Sequence, residues 1–203
     1  GLIGGIRRYM AAPQDLFPQW MGPGELLGSA TFCVNVAWWG ALRSMADITA
    51  GMALRNEMAR LPEISFDPDS LRNSIFRYFW NPVQGRFSAM LYGDPLRPIA
   101  LGSSDNLAQG MAVLTGLPLP EMSRMLIGKT PAPVTGISLY APRLASGEGK
   151  KMASEALAGT VWAIAASRVG NDKAYNTAMA AMVYNLCDDI LGNRHNSGAV
   201  VRQ

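Results

Sequence analysis

Acidic residues in the long stretches between helix-like segments are the residues of this sequence best able to do chemistry. Asp15 and Glu25 lie on either side of Trp20 near the N-terminus. Asp105 ends a second such stretch, which is rich in glycine and proline. Two carboxyl groups, one protonated and one ionised, can act as general acid and general base on the same bond. These three acids are therefore the candidate catalytic residues.

Each of the three acids also has a purely structural interpretation. Asp105 precedes an apolar run, where an aspartate commonly caps a helix. Glu25 stands in GPGELLG, a setting that suits a solvated turn, and Asp15 fits an ordinary surface position. Both interpretations of each acid stay open on the residues alone.

Aromatic residues near the acids are candidates for contacts with a bound molecule. Aromatic rings stack well on flat apolar surfaces. The candidate substrate-binding residues are Trp20, Trp39, Trp80 and Tyr140. Trp39 follows Trp38, and adjacent helical residues point to different sides, so one of the two belongs to a core. Trp80 lies within FRYFWNPVQGRFSAMLYG, whose rings could equally form a hydrophobic plug at a helix end.

The elements that must position these residues are mostly helices. Apolar residues recur at three- and four-residue steps, as at Val34, Trp38, Leu42 and Met45. Together with capping residues, this pattern predicts six helices. They cover 30–52, a segment opened by Asp67-Pro68, a segment capped by Ser103, Ser104 or Asp105, a short segment from Pro120, 154–169, and a segment from Asn171-Asp172 to about Leu191-Gly192.

Three long connections separate these helices and should carry the function. They run over residues 13–28, 81–102 and 129–153. Short ribbons are expected only around 86–92 and 136–140. Long connections in a compact domain are commonly functional. The pattern predicts an all-α scaffold, with long loops and short β ribbons gathered at one end.

Composition narrows the classes of function. Apolar residues make up 49% of the 203 residues and charged residues 16%, which predicts a substantial core. The net charge of +3 is scattered, so no nucleic-acid partner is expected. With one histidine and no metal-binding motif, neither a metal nor another cofactor is expected.

Cysteine use and hydropathy add further expectations. Cys33 and Cys187 each lie in an apolar run, so we expect two buried thiols; a bridge or a catalytic pair is the alternative. No apolar run reaches 18 residues, so no membrane span is expected. The N-terminus lacks the order of a signal peptide, and the compartment stays open between cytoplasm and periplasm.

An ordered set of short motifs resembles the six-hairpin glycoside hydrolases, which include glycogen-debranching, trehalase-like and mannosylglycerate-hydrolase-like members. The chain reads VNVAWWGALRSMADI, then FWNPVQGRF and LYG, then SSDNLAQGMAVLTGL, then TVWAIAASRVGND. These segments resemble that superfamily's successive helix motifs in order and spacing. The matching residues are Asn35, Ala41, Leu42, Arg43, Phe79, Trp80, Gly85, Arg86, Phe87, Tyr92, Gly93, Ser104, Asp105, Ala112, Val113, Leu114, Gly116, Trp162, Gly170 and Asn171.

The resemblance implies a fold and an activity. The fold is part of an (α/α)6 toroid, in which helical hairpins form a ring and the loops meet at the substrate. The activity is hydrolysis of a glycosidic bond in an oligosaccharide or glycoside by a carboxylate pair, with inversion as the expected outcome. That pair would come from Glu25, Asp105 and Asp15.

Two further expectations follow, one from the length of the chain and one from a position at which its sequence differs from that superfamily. A complete ring of twelve helices needs at least roughly 250 residues. Residues 1–203 are therefore expected to form one incomplete toroid domain, completed by a second copy or by a missing domain. In addition, Ala11, Ala12 and Pro13 stand where relatives carry an acid. The alternative function is therefore a non-catalytic carbohydrate-binding or helical assembly module.

Overall fold

The structure is a computed structural model that describes residues 2–4, 21–22, 24, 28–54, 67–129, 137, 140–141 and 156–200. For residues 140–141, 156, 185 and 188–200 it describes the backbone alone. The statements below concern these residues. The candidates Asp15, Trp20 and Glu25 lie outside them.

The described part of the chain is mostly helical and contains six helices, in agreement with the sequence pattern. They are α1 (Phe32–Leu54), α2 (Pro68–Phe79), α3 (Asn106–Thr115), α4 (Pro120–Gly128), α5 (Ala156–Arg168) and α6 (Asp172–Val200). The sixth helix was expected to end near Gly192, and that expectation is wrong. A glycine inside a helix costs only about 1 kcal/mol relative to alanine, so it weakens a helix without ending it.

Local capping explains several of the other helix boundaries. The Asp67 carboxylate accepts the backbone N–H groups of Asp69 and Ser70, both at 3.0 Å, and Pro68 opens α2. Gly116 ends α3 with φ 78°, a left-handed conformation that glycine adopts without steric cost. These features are encoded within a few residues, which is why the sequence predicts them.

Seven short strands form ribbons between the helices. They are β1 (Ala30–Thr31), β2 (Trp80–Asn81), β3 (Arg86–Phe87), β4 (Met90–Tyr92), β5 (Ile99–Ala100), β6 (Ser104–Asp105) and β7 (Tyr140–Ala141). All pairings are antiparallel: β1 with β4, β4 with β5, β2 with β3, and β6 with β7.

The ribbons join described residues at or next to the three long connections. Thr31 pairs with Met90, which links the end of the first connection to the second. Asp105 pairs with Tyr140, which links the end of the second connection to the third. The described residues at these pairings therefore lie at one end of the helices, here called the ribbon end.

The helices α1, α3 and α5 run parallel in a row. At the ribbon end Cys33 of α1 lies near Asp105, and further along Gly40 approaches Thr115. The α3–α5 contact likewise runs from Gly110 against Val161 towards Leu114, whose carbonyl accepts a hydrogen bond from Arg168.

The helices α2 and α6 run antiparallel to the helices that precede them. Phe79, at the end of α2, contacts Phe32, at the start of α1. Gly159 of α5 meets Met182 of α6, and only residues 169–171 connect these two helices. The described residues therefore show a row of helical hairpins; they do not show a closed toroid.

Small residues allow the helices of the row to approach closely. A Cβ atom on Gly110 would lie 2.9 Å from Val161 Cγ1, and one on Gly40 would lie 2.8 Å from Thr115 Cγ2. Real side chains do not tolerate such separations. Glycine at these positions therefore sets the spacing between neighbouring helices of the row.

We expect Gly110→Ala to lower the free energy of unfolding by about 1 kcal/mol, because a stiff valine must move and the strain of overpacking exceeds the gain in helix propensity. Gly51→Ala is the matched control: its Cβ would meet nothing within 4 Å, so it should stabilise by roughly 0.5–1 kcal/mol. Urea denaturation of both variants measures the difference. Equal effects would show that the α3–α5 spacing does not depend on Gly110.

In the described part of the chain, no helix is both long enough and apolar enough to cross a membrane.

Candidate active site around Asp105

Asp105 is buried at the point where β6 passes into α3. Its backbone is extended, with φ −93° and ψ 109°, and only 8% of the residue is exposed. The carboxylate oxygen Oδ1 accepts the backbone N–H of Ala108 at 3.0 Å. Asp105 is therefore the N-cap of α3, as its structural interpretation predicted, and its backbone also pairs with that of Tyr140 from the third connection.

Three backbone segments converge at Ala89, beside Asp105. The Ala89 carbonyl accepts the N–H of Phe32 at 2.9 Å, and the Ala89 N–H donates to the carbonyl of Ser103 at 2.8 Å. These bonds bring the start of α1 and the residues before Asp105 onto the same strand segment. The flanking residues Thr31 and Ser88 are thereby held near Ser103.

Three hydroxyl groups around this junction are buried without a hydrogen-bond partner among the described residues. They belong to Thr31, Ser88 and Ser103. A buried hydroxyl without a partner carries a desolvation cost of about 1–3 kcal/mol, so each of these three groups calls for a polar partner such as a water molecule. We call Thr31, Cys33, Ser88, Ser103 and Asp105 the Asp105 site.

The pKa of the Cys33 thiol depends on its surroundings, which include Asp105. Burial, and secondly the neighbouring negative charge of Asp105, raises the pKa of Cys33 from 9.0 to about 12. Both causes disfavour the thiolate. Cys33 is therefore a neutral thiol at physiological pH and is not suited to act as a nucleophile.

Alkylation with iodoacetamide at pH 8 tests this environment. We expect Cys33 in the folded protein to react at least roughly 30-fold more slowly than in the urea-unfolded chain. A rise of three pKa units lowers the thiolate fraction about 1,000-fold, and the greater nucleophilicity of a more basic thiolate offsets part of that loss. Peptide mass spectrometry gives both rates.

Cys187 is the internal control for this measurement because it is exposed and should react readily in the folded protein. Asp105→Asn should accelerate alkylation of Cys33, since it removes the second cause of the raised pKa. Equal rates for Cys33 in the folded and unfolded chains would contradict the described environment.

An aromatic cluster packs next to the Asp105 site and supports it. Phe87 stacks on Phe32, with centroids 4.6 Å apart, and makes edge contacts with Phe76 at 5.2 Å and Trp80 at 4.9 Å. Phe79 contacts Phe32 at 5.6 Å. The rings of the FRYFWNPVQGRF stretch therefore form the predicted plug at the end of α2, next to the strand segment that carries Ser88.

The turn between β2 and β3 is held by hydrogen bonds to Asn81. Its side-chain oxygen accepts the N–H groups of Val83 and Gln84 at 3.0 and 3.1 Å, and its carbonyl accepts Gly85 N–H at 2.8 Å. Gly85 has φ 66°, which glycine tolerates.

A buried amide holds Phe87 against α3. Gln109 Nε2 donates to the Phe87 carbonyl at 2.6 Å, and Gln109 Oε1 accepts the Phe87 N–H at 3.3 Å. Because Gln109 lies one turn after Asp105 on the same helix, this pair of bonds fixes α3 relative to the strand that carries Phe87. It thereby fixes the position of Asp105.

The predicted substrate-binding residues occupy different environments. Trp39 is 2% exposed and belongs to the core, so its ring is not accessible here, while its neighbour Trp38 is half-buried. Trp80 is half-buried against the aromatic cluster. The backbone of Tyr140 pairs with Asp105 across β6 and β7, which brings these two candidates together.

The sequence did not identify Thr31, Cys33, Ser88 or Ser103 as members of the site. Ser103 could have been identified from the sequence, because small polar residues precede the helix at that point. No sequence feature marks Cys33 or Ser88, since they approach Asp105 only through the pairings at Ala89. The expectation that both thiols are buried is wrong for Cys187, which is exposed; Cys33 is half-buried.

A cavity of about 340 Å³ lies beside the three-stranded ribbon. Its lining includes Leu2, Tyr78, Tyr92 and Pro95, and none of the residues of the Asp105 site. Among the described residues, no cluster of three or more histidine, cysteine, aspartate or glutamate side chains could hold a metal ion.

No family model matches the chain, and neither the curated proteins nor the solved structures contain a match to it.

Proposed function

We propose that the protein binds an oligosaccharide at the ribbon end and hydrolyses a glycosidic bond there. One observation carries the proposal: strand residues at or next to the long connections pair beside a buried carboxylate, Asp105, near three buried hydroxyls that have no partner in the described part of the chain. Hydroxyl groups of a sugar are donors and acceptors of the kind that such a site can satisfy.

The proposed reaction uses a pair of carboxyl groups. The Asp105 Oδ1 accepts a hydrogen bond from the Ala108 N–H, and we assign the Asp105 carboxylate the role of general base, activating a water molecule. The general acid would be Glu25 or Asp15, from the first connection, whose end is joined to Ala89 through Phe32. An inverting mechanism requires the two carboxyl groups about 6.5–9.5 Å apart, so that water fits between them.

The arrangement of helices supports the same proposal. Parallel packing of α1, α3 and α5, with α2 and α6 antiparallel to their predecessors, is the arrangement expected of consecutive hairpins in an α/α toroid. We propose on this basis that the chain is part of such a toroid and a member of the six-hairpin glycosidase superfamily.

A second candidate function is non-catalytic glycan binding. The observation that favours it is the hydrogen bond from Ala108 to Asp105, because helix capping alone accounts for an aspartate at this position. In that case the buried hydroxyls would bind a sugar without a reaction.

Two measurements on a panel of oligosaccharides separate these functions. Release of new reducing ends is expected if the protein is a hydrolase, and saturation-transfer NMR detects binding with or without hydrolysis. Binding without release would favour the non-catalytic module. Neither binding nor release across α- and β-linked glucosides, mannosides and xylosides would contradict both functions.

A further inference from the structure

The cavity of about 340 Å³ lies between α2, the ribbon of β1, β4 and β5, and the described residues near the N-terminus. Small-molecule sites commonly have volumes of roughly 300–1,000 Å³, so this cavity suits a small ligand. Four of its lining residues, Gly4, Gly28, Ala30 and Gly93, have at most a methyl side chain. No long side chain from these positions fills the space. We call it the ribbon cavity.

The N-terminal wall of the ribbon cavity is held by a buried amide. Asn35 is fully buried and is not among the lining residues. Its Oδ1 accepts the Ile3 N–H at 2.9 Å, and its Nδ2 donates to the Ile3 carbonyl at 3.1 Å. These two bonds fix the backbone between Leu2 and Gly4, both of which line the cavity.

The opposite wall is a tight turn between β4 and β5. Asp94 Oδ1 accepts the Leu96 N–H at 2.8 Å, and the Asp94 carbonyl accepts the Arg97 N–H at 2.9 Å. Pro95 and Pro98, whose rings fix φ, line the cavity from this turn. Because both walls are held before any ligand arrives, binding costs little ordering of the protein.

Three hydroxyl-bearing side chains line the ribbon cavity. Ser74 and Tyr78 lie one turn apart on α2, and Tyr92 ends β4. The Ser74 hydroxyl donates to the Ser70 carbonyl at 3.0 Å, so its oxygen is left as an acceptor for a ligand. The Arg77 guanidinium lies 5.2 Å from the centre of the Tyr78 ring and does not line the cavity, so it holds that ring from outside.

The described lining residues carry no charge at neutral pH. An ionic ligand would lose its hydration there without gaining a counter-charge, so the lining disfavours phosphates, carboxylates and amines. Hydroxyl groups next to the apolar surfaces of Leu91 and the two tyrosine rings suit a neutral ligand that has both hydroxyls and an apolar C–H surface. A pyranose sugar has both.

We propose that the ribbon cavity binds one neutral pyranose unit of a glycan. The sugar ring lies against Tyr78, and its hydroxyls bind the hydroxyls of Ser74 and Tyr92. The cavity shares no residue with the Asp105 site, so this is a second, non-catalytic glycan site. The argument uses the lining of the cavity alone and does not depend on hydrolysis at Asp105.

NMR of the full chain with ¹³C-labelled tyrosine rings tests the proposal. Titration with the methyl glycosides of glucose, mannose and xylose should shift the Tyr78 and Tyr92 signals in a saturable manner with at least one of them. Tyr184 on α6 is 58% exposed, is not among the lining residues and should not shift. The methyl glycoside of glucuronic acid adds a carboxylate to the glucose ring and should bind at least about tenfold more weakly than the glucoside.

Two variants locate the binding. Ser74→Phe places a ring in the cavity and should abolish the shift of Tyr92. Asn73→Phe adds the same ring at an exposed neighbouring position that does not line the cavity, and it should bind like the wild type. Tyr78→Phe removes a single hydroxyl with little risk to folding and should weaken binding about three- to tenfold.

Unchanged Tyr78 and Tyr92 signals with all three neutral glycosides would overturn the proposal. So would wild-type affinity in Tyr78→Phe or in folded Ser74→Phe, or equal affinity for the glucoside and the glucuronide. Asp105→Asn should bind these glycosides at the ribbon cavity like the wild type, whether or not the wild type hydrolyses glycans. Failure of this proposal is therefore distinguishable from failure of the proposed hydrolysis.

Discussion

Replacing Asp105 with asparagine is expected to lower kcat of the proposed glycoside hydrolysis by about 10²- to 10⁴-fold, the usual contribution of a general acid or base. Asparagine keeps the side-chain oxygen that accepts the Ala108 N–H, and it is a good N-cap residue. The free energy of unfolding should therefore change by less than about 0.5 kcal/mol. The substitution separates the chemical role of the carboxylate from its capping role.

Asp67→Asn is the matched control. Asp67 caps α2 through the same type of hydrogen bond, and it is exposed. It should retain wild-type activity and stability. If Asp105→Asn also retained full activity in an active protein, Asp105 would be a structural cap alone, and the catalytic base would have to be another residue.

Replacing Phe87 with alanine is expected to lower the free energy of unfolding by about 3–5 kcal/mol. Phe87 is fully buried and has ring contacts with Phe32, Phe76 and Trp80, so its removal leaves a cavity at the centre of the aromatic cluster. For a chain of this size the midpoint of thermal unfolding should fall by roughly 10 °C.

Urea denaturation measures this loss, with Phe76→Ala as the control. Phe76 is half-buried, so its removal should cost clearly less than removal of Phe87. The midpoint should fall with little change in the slope. A cost below about 1 kcal/mol for Phe87→Ala would show that the cluster does not support the ribbon end.

The parts of the fold that the sequence predicts are those set by neighbouring residues. Asp67-Pro68, Asp105 and Gly116 define helix boundaries through contacts within four residues, and the apolar stripe of α1 follows the helical period. The end of α6 could not be predicted from its neighbouring residues. Gly192 looks like a stop signal, but a helix passes through a glycine at modest cost.

The ribbons were only partly predictable, because strands of two or three residues are too short to show alternation. The stretch around Arg86–Tyr92 was expected to be extended, and β3 and β4 confirm it. The pairing of Thr31 with Met90 joins residues 59 positions apart in sequence, and nothing local encodes it. That pairing is what brings Cys33 and Ser88 to Asp105.

The positions of the candidate tryptophans were also only partly predictable from the sequence. The sequence predicts that one of the adjacent residues Trp38 and Trp39 is in the core, and this is confirmed, but it does not predict which one. The structure buries Trp39 because it lies on the same stripe as Phe32 and Val36. The orientation of a residue on a helix depends on which neighbours cover that helix, and this is tertiary information.

Time-resolved proton NMR of the anomeric region, with wild-type protein and Asp105→Asn each added to intact oligosaccharides, tests the proposed hydrolysis most directly. We expect the wild type to produce new anomeric signals, with the anomer of inverted configuration appearing first, and the variant to produce them at least about 100-fold more slowly. Sugar signals that broaden on binding while no new anomer forms with the wild type would contradict hydrolysis at the Asp105 site.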